Sequence, residues 1–196
     1  MAEPRSPLAD IDVVRLCPNW QDRVGVRLTA TLPVCVFQVQ AWPGTVDALA
    51  DALAPVIGAR PDFGARTLTH GPAASAFPIG PGRMLVEAKD KATLAATREA
   101  ISPDIGVVTD LTHARIRLDL DGADAATVLA KAINIDFHID AMPVGTVAAT
   151  GIHGIGVLMV RRGTEAFSLG VPRSFAGAII EWFTAAAADV GYAIDG

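Results

Sequence analysis

Two spacings of apolar residues alternate along the chain, one typical of strands and the other typical of helices. Every second residue from Cys35 to Val39 is apolar, and the residues between them are more polar on average. This alternation predicts a strand with one more polar face. Apolar residues then follow at positions i, i+3, i+4 and i+7, namely Val46, Leu49, Ala50 and Leu53. This spacing predicts an amphipathic helix that Thr45 caps and that Pro55 and Gly58 end.

The remaining elements follow from the same two patterns. The segment 58–82 is rich in Gly, Pro and Ala, which predicts a loop around one short strand near 76–79. Further strands are predicted at 84–88, 115–120, 146–150, 155–161 and 166–171. Further helices are predicted at 91–101, after Asp124, and after a Ser174 cap, where Phe175, Ile179, Trp182 and Ala186 recur at helical spacing.

The order of these elements predicts an α+β fold of two ferredoxin-like lobes and not a doubly wound parallel sheet. Two strand-turn-helix passages, VFQVQAWPGTVDALADALA and RIRLDLDGADAATVLAKAI, resemble each other loosely. We predict an extended N-terminal arm at 1–30, a first lobe at 31–104 and a second lobe at 105–196. The arm contains three prolines and no sustained periodicity, so it is expected to need a partner surface to become ordered.

Composition excludes several classes of function. The 196 residues are 51% hydrophobic and 19% charged, which is enough apolar material for a sizeable core. A net charge of −5 without a basic cluster argues against a nucleic-acid partner. The N-terminal sequence MAEPRSPLADID lacks the basic start of a signal peptide, and no apolar run approaches the length of about 20 residues that spans a membrane. The sequence therefore predicts a cytoplasmic protein that binds neither nucleic acid nor membrane.

The stretch VTDLTHARIRLDLDGADA contains a histidine, two arginines and four acids within eighteen residues. Arg115, Arg117 and Asp119 alternate with apolar residues in the strand predicted at 115–120. They are therefore expected to form the face of that strand that is directed to solvent or to a partner. Asp110 and His113 are left over, and they are either an acid-base pair or a structural hydrogen bond. We favour the structural interpretation, because a catalytic histidine needs a third group and a pocket.

Other patterns offer no site. The four histidines lie far apart and neither cysteine belongs to a CxxC unit, so we predict no metal site and no disulfide framework. GxGxxG and GxSxG motifs are absent, so we predict no catalytic and no cofactor-binding residue in this chain. Trp182 and Phe183 are adjacent and cannot share one narrow helix face, so one of them is expected to meet a second lobe or another chain.

A family resemblance adds what these patterns leave open. The stretch TDLTHARIRLDLDGADAATVLAKA resembles the DLSH and GxDA motifs of the aminomethyltransferase (T-protein) folate-binding fold, with Thr112 at the usual serine position and no C-terminal barrel extension. Residues 136–191 are similar to the gamma subunit family of heterotetrameric sarcosine oxidase. The residues that carry this similarity are Asp136–His138, Pro143–Thr146, Ile152–His153, Ala166–Phe167, Val171–Phe175 and Trp182.

The resemblance implies a fold, a function and partners. It implies two T-protein-like lobes without the C-terminal barrel, in an accessory, non-catalytic subunit. Its alpha, beta and delta partner subunits would hold FAD, FMN, NAD, zinc and tetrahydrofolate. The complex would oxidise the N-methyl group of sarcosine, giving glycine, hydrogen peroxide and methylene-tetrahydrofolate. The alternatives are a free-standing folate-binding one-carbon protein with Asp110 and His113 as polar groups, and an α+β interaction module unrelated to demethylation.

Overall fold

A computed structural model describes residues 15–195 of the chain, so the first fourteen residues of the predicted arm lie outside the described residues. The strands are β1 Leu16–Cys17, β2 Val26–Thr31, β3 Cys35–Ala41, β4 Thr69–His70, β5 Ala74–Gly80, β6 Arg83–Ala88, β7 Gly106–Asp110, β8 Arg115–Asp121, β9 Val147–Ile152, β10 Ile155–Gly163, β11 Ala166–Pro172 and β12 Tyr192–Asp195. The α-helices are α1 Val46–Ile57, α2 Lys91–Ala100, α3 Ala125–Ala130 and α4 Ala176–Ala187, and a 3-10 turn at Arg173–Phe175 precedes α4.

The described residues form two compact units, which confirms the predicted α+β class with two lobes. The first unit contains residues 15–32 and 114–195, and the second contains residues 33–113. The chain therefore leaves the first unit after β2, builds the whole second unit, and returns to the first unit with β8.

The first unit is a seven-stranded sheet in the order β1-β12-β2-β8-β11-β10-β9. All of its neighbouring strands are antiparallel except β12 and β2, which run parallel. Alternate residues of β8, from Ile116 to Leu120, are fully buried against α3 and α4, as the period-two pattern predicted. Phe167, Leu169 and Val171 of β11 extend the same core.

The second unit is a five-stranded antiparallel sheet in the order β4-β5-β6-β3-β7. Cys35, Phe37 and Val39 of β3 are completely buried against the apolar stripe of α1 and against Leu94 of α2. The Asp90 carboxylate caps α2 by accepting a hydrogen bond from the Thr93 backbone N–H, 2.9 Å away.

The N-terminal arm and the lobe boundary differ from their predictions. Residues 26–30, predicted as extended arm, lie in β2, where Val26, Leu28 and Ala30 are buried between β12 and β8. The alternation VRLTAT is only six residues long, which is why it was missed beside the prolines. The boundary predicted at 104/105 falls at 113/114, because β7 pairs with β3 and so belongs to the second unit.

Three predicted helix ends also differ. Helix α1 continues through Pro55 to Ile57, and Gly58 ends it in the left-handed region at φ +88°. Thr45 precedes this helix, but its hydroxyl donates to the carbonyls of Trp42 and Ile105 and does not cap it. Ser174 lies inside the 3-10 turn and does not cap α4, which begins only at Ala176.

Candidate functional site

The polar pair predicted from the DLTH stretch is a turn between β7 and β8. Asp110 Oδ1 accepts a hydrogen bond from the Thr112 backbone N–H at 2.9 Å, and the Thr112 hydroxyl contacts both backbone groups of Val36. These hydrogen bonds from Thr112 hold the pKa of Asp110 below its usual value, with smaller contributions from the charges of Arg98 and His113. His113 is exposed, and the partner of the Asp110 carboxylate is Thr112. The arrangement is that of a structural turn.

The predicted polar face of β8 forms ion pairs and hydrogen bonds within the first unit. Arg115 Nη1 donates to the Gly170 carbonyl at 3.2 Å, and burial lowers the pKa of the Arg115 guanidinium. Arg117 Nε lies 3.2 Å from an Asp119 carboxylate oxygen. Arg162 of β10 lies 2.8 Å from Asp121 at the end of β8. These side chains therefore stabilise the sheet itself, and their contact with a partner remains a prediction.

Arg161 is a buried structural cation that the sequence analysis did not identify. Only 4% of the residue is exposed, and its guanidinium packs 5.1 Å from the centre of the Phe167 ring. The guanidinium donates to four backbone carbonyls at 2.6–3.1 Å, those of Phe137, Met142, Gly163 and Thr164. The apolar run GIGVLMV leads directly into Arg161, which is the one pattern that could have indicated a buried position.

Arg161 holds together several of the motifs on which the family resemblance depends. We name residues 136–146 the Arg161 loop, because the Arg161 guanidinium binds its carbonyls and the Arg161 backbone bonds Gly145 and Thr146. Asp136 Oδ1 also accepts from the His138 backbone N–H at 2.8 Å. The loop leaves Ile139 and Val144 exposed, at 39% and 53%.

The VPRSF segment leads from β11 into α4. Val171 is buried in the core, whereas Phe175 is 47% exposed at the start of the helix. The buried face of α4 differs by one position from the predicted one. Phe183 is buried, whereas Trp182, which was predicted on that face, is only partly buried. The Trp182 ring makes edge contacts with Phe183 and with His153, at centroid distances of 4.9 and 5.5 Å.

The structure also brings together a serine and a histidine that the sequence analysis did not connect. His70 Nδ1 lies 2.9 Å from Ser75 Oγ, and the two residues are cross-strand partners in β4 and β5. The proximity of His70 and Ser75 could not be predicted from the sequence, because β4 is only two residues long. His70 is exposed and Ser75 is partly buried, whereas an activated serine needs a base that a third group orients. We assign this contact to the stability of the hairpin.

Within residues 15–195, no three His, Cys, Asp or Glu side chains are grouped as a metal site requires. A crevice with an internal volume of only about 10 Å³ lies between the sheet of the first unit and α4, lined mostly by apolar residues such as Leu28, Val128 and Phe183. Burial raises the pKa of Tyr192 at this crevice. Cofactor pockets usually enclose about 300–1,000 Å³ and present several convergent polar groups.

The longest helices among residues 15–195, α1 and α4, each have twelve residues, and none in this range could cross a bilayer.

Comparison with known proteins identifies relatives. The model of the sarcosine oxidase, gamma subunit family matches residues 74–189. The gamma subunit of sarcosine oxidase from Corynebacterium sp. strain U-96 is 30% identical over 105 residues, which are 53% of this chain and 51% of that protein. The gamma subunit from Corynebacterium sp. strain P-1 is 32% identical over 105 residues, 53% of this chain and 52% of that protein. The match thus spans about half the length of these curated relatives.

Solved structures show the same fold. A chain of the heterotetrameric sarcosine oxidase from Corynebacterium sp. U-96, solved with pyrrole 2-carboxylate, superposes with a TM-score of 0.81 at 24% identity, over 96% of this chain and 97% of that chain. The glycine cleavage system aminomethyltransferase T from Bartonella henselae superposes with a TM-score of 0.64 at 17% identity, over 89% of this chain and 48% of that chain. These likenesses confirm the predicted aminomethyltransferase-like fold.

Proposed function

Because the chain belongs to the sarcosine oxidase, gamma subunit family, we propose that it is the accessory gamma subunit of a heterotetrameric sarcosine oxidase. The complex would convert sarcosine, oxygen and tetrahydrofolate into glycine, hydrogen peroxide and methylene-tetrahydrofolate. Alpha, beta and delta subunits would hold the flavins FAD and FMN, NAD, zinc and tetrahydrofolate, and would carry out the chemistry. The present chain would contribute structure and contact surface.

The family match over residues 74–189 is the observation that carries this proposal. The matched range begins in the second unit and continues through most of the first, so it covers far more than a single motif. The solved relative is a heterotetramer by its own description, which is why we place this chain in an assembly of unlike subunits.

The contacts of the polar side chains support an accessory role. The carboxylate of Asp110 holds a turn, Arg161 binds backbone carbonyls, and Arg162 pairs with Asp121. Each of these groups is already used to stabilise the fold. A group that takes part in a reaction must instead be directed at a site where a substrate can lie.

The alternative of a free-standing folate-binding protein gains no support from these contacts. The polar groups proposed for folate binding were Asp110 and His113. The Asp110 carboxylate instead accepts a hydrogen bond from the backbone N–H of Thr112 in the same turn. The likeness to aminomethyltransferase T, at 17% identity, concerns the fold alone.

The proposal is tested by affinity purification of the tagged chain from its native host, followed by visible absorption and subunit masses. We expect a yellow eluate with flavin absorption and three additional polypeptides in constant ratio to the tagged chain. A colourless eluate that contains only the 20.4 kDa chain would contradict the proposal.

A further inference from the structure

Trp20 is the most exposed large apolar side chain among the described residues. It is 87% exposed, whereas the other exposed residues of this kind range from 37% to 60%. Two of these, Leu16 and Val24, lie within four residues of it in the sequence. Tryptophan is the residue type that most often dominates the binding energy of a protein interface. An indole that is left in water on a stable fold therefore indicates an interaction surface.

The loop that presents Trp20 is ordered by its own hydrogen bonds. The Asn19 side-chain oxygen accepts from the backbone N–H groups of Gln21 and Arg23, both at 3.0 Å. The Asn19 backbone N–H donates to the Arg23 carbonyl at 2.9 Å, and the Asp22 N–H donates to the Asn19 carbonyl at 2.9 Å. Asp22 adopts the left-handed region at φ +57°, which lets the loop reverse tightly.

The same loop is attached to the body of the first unit at two points. Arg23 forms an ion pair with Asp124 at 2.8 Å. Gly191, at φ +78°, lies against the loop so closely that a Cβ atom at this position would be 2.1 Å from the Arg23 carbonyl oxygen. Because the backbone is fixed in this way, an association through Trp20 would cost little ordering entropy.

We propose that Trp20 is a docking anchor that inserts into an apolar pocket on a neighbouring, unlike subunit of the assembly. This inference rests on the proposed function, which supplies the neighbouring subunit, and it adds the surface through which the chain attaches. The partner pocket is lined by aliphatic or aromatic side chains and has the depth of an indole ring. Burial of that ring provides the binding energy, so the attachment depends only weakly on salt.

A protein pocket fits these observations better than a lipid surface or a second copy. The whole chain has a net charge of −5, which opposes approach to an anionic membrane. The same net charge disfavours association of two identical chains. The solved relative assembles with unlike subunits.

The inference is tested by comparing Trp20→Ala with a matched control in the tagged full-length chain. Val34→Ala is the control, because Val34 is also an exposed apolar residue, at 58%, and lies outside the Trp20 loop. The wild type and both variants are purified from the native host, and flavin absorbance is measured for each mole of tagged chain after washes at low and high salt.

We expect Trp20→Ala to lower the flavin that is recovered roughly tenfold or more, in both washes, while Val34→Ala keeps the wild-type recovery. The urea midpoint of Trp20→Ala should equal that of the wild type, because the side chain is 87% exposed. Equal recovery for wild type and Trp20→Ala would overturn the anchor and leave the proposed function intact. A wild-type eluate without flavin polypeptides would overturn the proposed function and the anchor together.

Two further outcomes would overturn the anchor by assigning Trp20 to another occupant. One is a purified wild-type dimer that Trp20→Ala converts to a monomer in size-exclusion chromatography. The other is Trp20-dependent binding to phosphatidylserine–phosphatidylcholine vesicles in a flotation assay.

Discussion

At the scale of single residues, several polar side chains of this protein bind the backbone beside them. Asp110 illustrates this use, because its carboxylate accepts the N–H of Thr112 two residues further along the chain. The sequence singled out Asp110 correctly as a residue that strand periodicity does not explain. It could not decide between acid-base chemistry and a turn, because that depends on where the carboxylate points.

The turn predicts a pH dependence of stability for Asp110→Asn. Hydrogen bonds from Thr112 lower the pKa of Asp110 in the folded chain, whereas the unfolded value stays near 3.9. A lowered folded pKa contributes stability that is present above the unfolded pKa and is lost as the pH falls through the folded value. The free energy of unfolding should therefore be lower for Asp110→Asn than for the wild type at pH 7, by at most about 1 kcal/mol because the group is exposed.

Urea unfolding of both proteins at pH 7 and pH 3 measures this difference. We expect the gap between wild type and variant to become smaller at pH 3, while contributions from other carboxylates cancel in the comparison. A gap that is unchanged or larger at pH 3 would show that the Asp110 charge does not stabilise the turn.

At the scale of elements, the Arg161 loop depends on one side chain of β10. Arg161→Met should lower the free energy of unfolding by about 2 kcal/mol or more, since one buried and three partly buried carbonyls lose their charged donor. Arg162→Met is the matched control on the next residue of the same strand. Its guanidinium is partly exposed and forms surface ion pairs, so the expected loss is about 1 kcal/mol or less.

Chemical denaturation with circular dichroism detection compares these two variants with the wild type. Equal losses for the two substitutions would contradict the assignment of Arg161 as the residue that holds the loop. A larger loss for Arg162→Met would instead place the stabilising interaction on the outer face of the sheet.

Elements with several repeats of their apolar period were predictable, and short or edge elements were not. β8 and β3 were found because alternate residues are apolar over seven positions in each strand. β7 and β12 were missed, since five and four residues carry too few repeats and their assignment depends on distant pairing partners. Arg161 was missed for a related reason, because only its tertiary contacts make a buried cation acceptable.

At the scale of the whole molecule, the order of strands in space could not be read from the sequence. β12, from the end of the described chain, lies between β1 and β2, which come from its beginning. The parallel pairing of β12 with β2 joins residues that are more than 160 positions apart. Local patterns predicted the α+β class and two lobes. They could not show that the residues of the second unit lie between two segments of the first unit along the sequence.

Under the proposed function, this chain would support a flavin oxidase without supplying a reacting group. The most direct test is sarcosine turnover per flavin in the complex purified through the tagged chain. Wild type is compared with a variant in which His70, Ser75, Asp110 and His113 are all alanine, since these are the polar pairs that chemistry could use. We predict equal turnover per flavin, within about twofold, because none of these residues would touch the substrate. A loss of turnover per flavin of about a hundredfold or more, the size expected when a general acid or base is removed, would contradict the account.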